Sequence, residues 1–217
     1  LDEQGALTGE IRLGASTTLS QYVLPGLLAL FRKQYPDIRV TLCSGNTEQI
    51  ERQIADGKLD FGVIEGTASN PALHYEPFMD DELVLVTSTA NRTFPEEEIS
   101  AADLPKLPLL IRENGSGTLE VLSRELARHR LSLRQLHIEM QLGSTESIKH
   151  YLFHSDMFAF LSVQAVLEEL ASNRLRVVEV SDMELIRRFS FVTAHGQRSR
   201  LTDLLKQFCL NHYNQKL

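Results

Sequence analysis

The chain has 217 residues, which is enough for one large domain or two smaller lobes with a sizeable core. Hydrophobic residues make up 42% and charged residues 24%, as in ordinary soluble globular proteins, and no apolar run reaches the length of a membrane span. A net charge of −7 argues against nucleic-acid binding by this chain alone.

The N-terminus and the cysteines bear on the cellular compartment. The first ten residues are acidic and polar and show no signal peptide, and a start at Leu1 predicts a piece of a longer protein. Cys43 and Cys209 each lie beside apolar residues, which favours two buried free thiols. Nothing in the sequence requires a disulfide, and free thiols are usual in a reducing compartment. A cytoplasmic location is therefore expected.

Residues 9–35 predict a strand, a short polar turn and a long helix. Apolar residues alternate with others over residues 11–14, which is the period-two pattern of a strand. Ser16, Thr17 and Thr18 then supply hydroxyls where the helix begins. These hydroxyls could cap the first turn of the helix, or, together with its free N–H groups, they could bind an anion or a carboxylate. The sequence alone leaves both readings open.

The helix that follows is apolar over an unusually wide arc. Its apolar residues span roughly 180° at 100° per residue, whereas packing on one core needs an arc of about 100°. The surplus predicts a second packing partner. We therefore expect a dimer contact along this helix, at Leu24, Leu27, Leu28 and Phe31.

The next elements predict a parallel sheet. A strand over residues 38–43 is followed by a helix opened by Asn46 and Gln49, which have capping-box spacing. A short apolar run at residues 60–64 is typical of a buried strand, and it ends at Glu65. Ligands of parallel α/β sheets bind beyond the carboxyl ends of the strands, which here are residues 15–18, 44–47 and 65–67.

The second half repeats this pattern. Two strands are predicted on either side of a turn at residues 79–81, and the acidic segment 91–103 suits a connection. A second α/β series begins at residue 107, and the return strand at 189–193 precedes a closing C-terminal helix. We expect lobe I to hold residues 9–87 and 191–217, and lobe II residues 88–190. A cleft between two such lobes is the default ligand site.

Enzyme signatures are absent from the sequence. There is no phosphate-binding G-x-x-x-x-G-K-[ST] loop, no G-x-G-x-x-G run and no G-x-S-x-G elbow. His150 and His154 have metal-like spacing on a predicted helix, but no glutamate motif accompanies them, and surface histidines are the commoner explanation. We expect no catalytic residue, no metal and no cofactor.

Five motifs occur in a specific order: GEIRLGASTTLSQYVLPGLLALFRKQYPDIRVTL, GNTEQIERQIADGKLDFGVIEG, DDELVLV, RENGSGT and LGSTESIKHYL. Together they resemble the effector-binding domain of LysR-type transcriptional regulators, and most closely the CysL-like branch. The resemblance covers residues 9 to about 210. It implies an α/β fold of the two-lobe, periplasmic-binding-protein-like type 2, with Rossmann-like lobes joined by two crossover strands.

The resemblance also implies partners. It implies a homodimer of this domain, a tetramer of the full-length protein, and an N-terminal winged helix-turn-helix that binds DNA and is absent from this chain. It implies no membrane partner. The effector would be a small anionic or carboxylate molecule, whose identity the sequence does not name.

By the family pattern, effector contacts fall on both lobes. The resemblance implies contacts from Ser16, Thr17, Thr18, Glu65, Ser144 and Thr145. We add Arg112, the cation near this cradle, and Ser116 of the nearby Gly-Ser-Gly turn as further candidates. A carboxylate at Glu65 would oppose a dianion unless it points away or carries a proton. Arg112 could hold an oxyanion or be a solvated strand-end charge, and Ser116 could contact the effector or only cap a helix. A free-standing solute-binding protein of a transport system is the alternative function, which the sequence upstream of Leu1 would distinguish.

Overall fold

The computed structural model describes residues 7–67, 70–197 and 199–214. Over these residues the chain forms two compact units. Unit 1 comprises the described residues within Leu1–Ile64, Ala68–Phe78 and Phe189–Leu217, and unit 2 comprises Glu65–Thr67 and Met79–Arg188. The chain therefore passes between the units several times, and two strands contribute residues to both.

Unit 1 is an α/β layer structure. Its strands are β1 (Gly9–Ser16), β2 (Ile38–Gly45), β3 (Phe61–Ile64) and the later part of β10 (Ile186–Ala194), in the order β2-β1-β3-β10. The first three strands are parallel, and β10 is antiparallel to β3. Its helices are α1 (Leu24–Gln34), α2 (Thr47–Ala55) and α6 (Arg200–His212). The predicted capping box at Asn46 and Gln49 is confirmed.

The strand-to-helix junction of unit 1 differs in detail from the prediction. Helical structure begins directly at Thr17, and a π-helical segment, Leu19–Val23, precedes α1. Thr18 has helical backbone angles and its side chain makes no capping hydrogen bond. The Thr18 hydroxyl therefore does not cap the π-helical segment, which was one of the two roles that the sequence allowed.

The apolar arc of α1 is covered largely by the chain itself. Phe31 packs against Phe208 of α6 with ring centroids 5.3 Å apart, and against Tyr35 at 4.9 Å. Leu24, Leu27 and Phe31, all predicted as dimer contacts, are buried in the described chain. The structure thus places these three in the core, because α6 is a packing partner for the wide apolar face. Leu28 alone of the four is half-buried.

Unit 2 is a second α/β layer structure. Its strands are the later part of β4 (Leu73–Ser88), β5 (Glu98–Ile99), β6 (Pro108–Arg112), β7 (His137–Leu142), β8 (Phe158–Ser162) and β9 (Leu175–Val180). They lie in the order β4-β8-β6-β7, and β9 pairs with β4 and β5. The helices are α3 (Gly117–Arg128), α4 (Thr145–Leu152) and α5 (Val163–Ala171), with 3₁₀ segments at Ala101–Lys106 and Leu133–Gln135.

The predicted turn at residues 79–81 is wrong. β4 is one continuous strand, and its two aspartates are paired with consecutive arginines of β10. Asp81 contacts Arg187 and Asp80 contacts Arg188, both at 2.7 Å. These acids resemble a turn in sequence, but their charges are matched from another strand. Since residues 83–87 pair with β8, residues 79–87 fall in unit 2, whereas the predicted lobe I included them.

Cys209 provides a test of the core beneath α6. Burial raises the pKa of its thiol to about 12, whereas Cys43 is half-buried on β2. We expect iodoacetamide at pH 8 to label Cys43 and spare Cys209 in the native protein, because only the thiolate reacts. Mass spectrometry of the peptides measures both, with urea-unfolded protein as the control in which both react. Equal native labelling would contradict the packing of α6.

Candidate functional site

The hydroxyl-rich junction of unit 1 brings the ends of two strands together. β1 and β2 are in register up to the pair Ser16 and Gly45. The Thr17 hydroxyl donates to the Gly45 carbonyl oxygen at 3.4 Å. Ser16, Thr17 and Thr18 are all buried. The predicted convergence of residues 15–18 with residues 44–47 is therefore confirmed within this unit.

Two serines that the sequence did not single out stabilise this junction. The Ser20 hydroxyl donates to the Thr17 carbonyl oxygen at 3.1 Å and lies 2.7 Å from the hydroxyl of Ser44. Ser20 lies in the π-helical segment, and such segments are frequent at functional sites. The junction presents neutral hydroxyls and the start of a helix, which suit a small polar or anionic group.

In unit 2, Arg112 stands at the start of α4. Its side chain is 1% exposed, so it is not a solvated strand-end charge. The guanidinium donates to both carboxylate oxygens of Glu113, at 2.8 and 3.0 Å, and to the Thr145 hydroxyl at 3.1 Å. Ser144 caps α4 by accepting a bond from the Ser147 N–H at 3.4 Å. The structure therefore brings Arg112 and Thr145 into contact beside the cap residue Ser144. Their contact with an effector stays a prediction.

The two remaining predicted residues, Ser116 and Glu65, lie at the start of α3 and against it. Ser116 caps this helix, since its hydroxyl accepts from the Leu119 N–H at 3.5 Å. The hydroxyl of Thr118, two residues further along the chain, donates to a carboxylate oxygen of Glu65 at 3.2 Å. Glu65 and its neighbours are thus held against the first turn of α3.

Glu65 belongs to a buried ion cluster centred on Arg187. The Arg187 guanidinium lies 2.6 Å from Glu65 and 2.7 Å from Asp81, and it also donates to the Thr118 hydroxyl at 3.1 Å. The Ser162 hydroxyl donates to Asp81 at 2.7 Å. All three charged side chains are at most 2% exposed. Arg187 supplies the positive charge that balances the Glu65 carboxylate. The sequence analysis did not identify this arginine.

Glu65 and Asp81 share one guanidinium in this cluster, and burial affects the pKa of Asp81. Burial raises the pKa of the Asp81 carboxyl, while the Arg187 guanidinium and the Ser162 hydroxyl oppose that rise. A sequence signal for this cluster does exist: two consecutive acids at 80–81 and two consecutive arginines at 187–188. Opposite charges of this kind stabilise each other when they lie across two paired strands.

The segment 65–67 fits against α3 without room for a side chain at one position. A β-carbon added to Gly117 would lie 2.4 Å from the Glu65 carbonyl oxygen, so the two backbones approach closely. Gly66 has φ of +100°, a conformation that favours glycine. The Thr67 hydroxyl donates to the carboxylate of Glu120 on α3. These contacts hold Glu65 at a defined place beside Thr118.

One cavity of unit 1 lies away from the predicted effector residues. A cavity of about 590 Å³ in unit 1 is lined by residues that include His74, His195 and Lys206, but Lys206 is already paired with Glu76 and Asp203. It contains none of the predicted effector residues. Across residues 7–67, 70–197 and 199–214, no group of three His, Cys, Asp or Glu side chains could hold a metal ion.

Within the described part of the chain, no helix has both the length and the apolar character needed to cross a bilayer.

The chain is similar to known transcriptional regulators. The family model of the LysR substrate binding domain matches residues 4–214. The uncharacterized HTH-type transcriptional regulator YeiE of Escherichia coli K12 is 30% identical over 92% of this chain and 66% of its own length. The HTH-type transcriptional regulator CysL of Bacillus subtilis is 29% identical over 85% of this chain and 60% of its own. The chain thus spans slightly under two thirds of these relatives.

A solved structure confirms the predicted fold class. The regulatory domain of CcmR from Synechocystis, in complex with 2-PG, superposes with a TM-score of 0.85 and 25% sequence identity. The match covers 96% of this chain and 99% of that one. The fold is therefore the α/β, type 2 periplasmic-binding-protein-like fold, and these three similar proteins are regulators, not enzymes.

The buried cluster predicts unequal roles for two adjacent arginines. Arg187→Met should lower the free energy of unfolding by about 3–5 kcal/mol, because it leaves Glu65 and Asp81 buried without a cation. The matched control is Arg188→Met, whose partner Asp80 is solvent-exposed, and it should leave stability almost unchanged. Urea unfolding measures both variants.

The deficit of Arg187→Met should also depend on pH. Protonation removes the unpaired charges, so the variant should be closest to the wild type in acid and furthest from it above neutral pH. Urea midpoints at pH 5 and pH 8 report this dependence. A deficit that is equal at both pH values, or equal in the two arginine variants, would contradict the cluster as described.

Proposed function

This chain belongs to the LysR substrate binding domain family, and from that premise we propose that it is the ligand-sensing domain of a transcriptional regulator. The ligand would be a small molecule with an anionic or carboxylate group. The observation that carries this proposal is the cluster of buried hydroxyls at the junction of β1 with its helix, beside the end of β2. Strand ends of this kind are the usual ligand position in parallel α/β sheets.

The contacts in unit 2 support an effector with a negative group. Ser144 and Thr145 stand at the start of α4 beside the Arg112 guanidinium, and Ser116 and Thr118 stand at the start of α3. Helix N-termini favour anions, and a forked guanidinium suits a carboxylate or an oxyanion. The resemblance to a regulatory domain that was solved with 2-PG is consistent with this class of ligand.

Glu65 takes a different role in this proposal from Arg112. Its carboxylate is engaged by Arg187 and Thr118, so we assign it to positioning the start of α3. A carboxylate neutralised in this way does not repel an anion as an isolated one would.

The response would pass to DNA through a dimer. A ligand can shift a protein only by binding one arrangement better than another, and a coupling of roughly 1–3 kcal/mol is typical of such responses. We propose a homodimer of this domain, a tetramer of the whole protein, and a preceding helix-turn-helix domain that contacts DNA. A regulator of this kind works in the cytoplasm, and the net charge of −7 is consistent with leaving DNA contact to the other domain.

A thermal-shift panel tests the ligand class. It contains sulfate, sulfite, thiosulfate, O-acetylserine, simple carboxylates and 2-PG. A compound at ten times its Kd should stabilise the chain by about 1.4 kcal/mol, because it binds only the folded state. Replacing Ser16 and Thr18 by Ala should abolish that shift.

The control for this panel is Thr41→Ala, a hydroxyl loss at an exposed position of β2, which should keep the full shift. Each variant is compared with its own melting temperature without ligand, so that a change in basal stability does not enter. A full shift in the double variant would exclude Ser16 and Thr18 from the site, and the absence of any shift in the wild type would reject the ligand class.

Leu28 tests the dimer. It is the half-buried member of the predicted interface, and Leu28→Asp should convert the dimer to a monomer by burying a charge at the contact. Sedimentation velocity measures the assembly state. Gln34→Asp, an exposed position at the end of the same helix, should remain dimeric. A dimeric Leu28→Asp variant would move the interface away from α1.

A further inference from the structure

Two helix starts in unit 2 share one arrangement of side chains. At α3, the Thr118 hydroxyl accepts a bond of 3.1 Å from Arg187, which also binds Glu65. At α4, the Thr145 hydroxyl accepts a bond of the same length from Arg112, which also binds Glu113. Each helix start therefore carries a buried arginine, a threonine and a glutamate supplied by the chain itself.

The two arrangements differ in how their glutamates meet solvent. Arg187 is held by two carboxylates, Glu65 and Asp81, and both are at most 2% exposed. Arg112 is 1% exposed, but its partner Glu113 is 27% exposed. The carboxylates at Arg187 are sealed in, whereas the carboxylate at Arg112 has a route to water.

The contact between Arg112 and Glu113 has the geometry of a bound anion. Two guanidinium nitrogens, Nε and Nη2, each donate to a separate oxygen of the Glu113 carboxylate. This parallel pair of bonds is how arginine recognises carboxylate and phosphate groups of ligands. The nearby start of α4, capped by Ser144, favours a negative charge at the same place.

We propose that Glu113 occupies the anion site of Arg112 in the absence of ligand, and that a carboxylate or phosphate of the effector displaces it. This inference rests on the proposed sensing function and narrows its ligand class. The exchange swaps one anion for another at the same guanidinium, and the Glu113 side chain moves into water. Arg112 is paired in both states, so no buried cation is left without a partner.

The exchange has consequences for affinity and selectivity. The effector binds in competition with an intramolecular carboxylate, so the measured affinity is weaker than the contact alone would provide. Uncharged molecules cannot replace Glu113, because they leave the buried guanidinium without a counter-charge. Glu113 thus makes the site selective for anions, and Arg187 cannot serve the same purpose because its partners are enclosed.

Titration calorimetry with inorganic phosphate tests the exchange. Glu113→Gln removes the competing charge and keeps the shape of the side chain, so phosphate should bind at least about tenfold more tightly than to the wild type. Adding Arg112→Met to this variant should remove the gain. Glu113→Asp, whose carboxylate is one methylene shorter, should give a smaller increase and covers the case in which Glu113→Gln does not fold.

Two controls separate the exchange from general electrostatics. Glu184→Gln makes the same change in net charge at an exposed position of unit 2 and should leave phosphate affinity unchanged. Erythritol, which carries no charge, should not bind any variant more tightly than the wild type.

The outcomes distinguish this inference from the sensing function itself. Equal phosphate affinity in the wild type, Glu113→Gln and Glu113→Asp would overturn the exchange, while a ligand shift that depends on Ser16 and Thr18 would still uphold the sensing role. An equal gain in Glu184→Gln would also overturn the exchange. A wild type that no panel compound stabilises, with no phosphate gain in Glu113→Gln, would overturn both.

Discussion

The contacts of the buried Arg187 guanidinium hold together distant segments of unit 2. This guanidinium joins three segments that are far apart in the chain: the short connection at Glu65, strand β4 at Asp81 and the first turn of α3 at Thr118. A buried charge without a partner is costly, so none of these segments can move away alone. The start of α3 therefore has a fixed position relative to the strands that enter and leave the unit.

Arg112 and Glu113 form a similar ion pair, but the Glu113 carboxylate is partly exposed to solvent. A carboxylate that is enclosed with its cation cannot leave, so the cluster around Arg187 is structural. A carboxylate that reaches water can be exchanged for another anion, as we propose for Glu113. The strand-to-helix junction of unit 1 differs in character, because it presents the neutral hydroxyls of Thr17, Ser20 and Ser44 and no charged side chain among them.

Two elements, β4 and α1, show what local sequence patterns miss. Asp80 and Asp81 interrupt an apolar run and therefore look like a turn, yet β4 continues through them because Arg188 and Arg187 match their charges. The wide apolar face of α1 predicted a second packing partner, and α6 of the same chain covers Phe31 on that face. The subunit contact stays a prediction through the half-buried Leu28. In both cases the missing partner lies in the last third of the sequence.

Alternation and capping signals determined most of the elements, the repeated strand–cap–helix pattern and the family to which the chain belongs, because near neighbours set these features. The predicted hydroxyls and Arg112 also lie at strand ends and helix starts, as the motifs indicated. Only the tertiary structure decided which buried charge meets which, and which apolar residues are core. Arg187 and Asp81 are 106 positions apart, and no local propensity specifies a pairing over that distance.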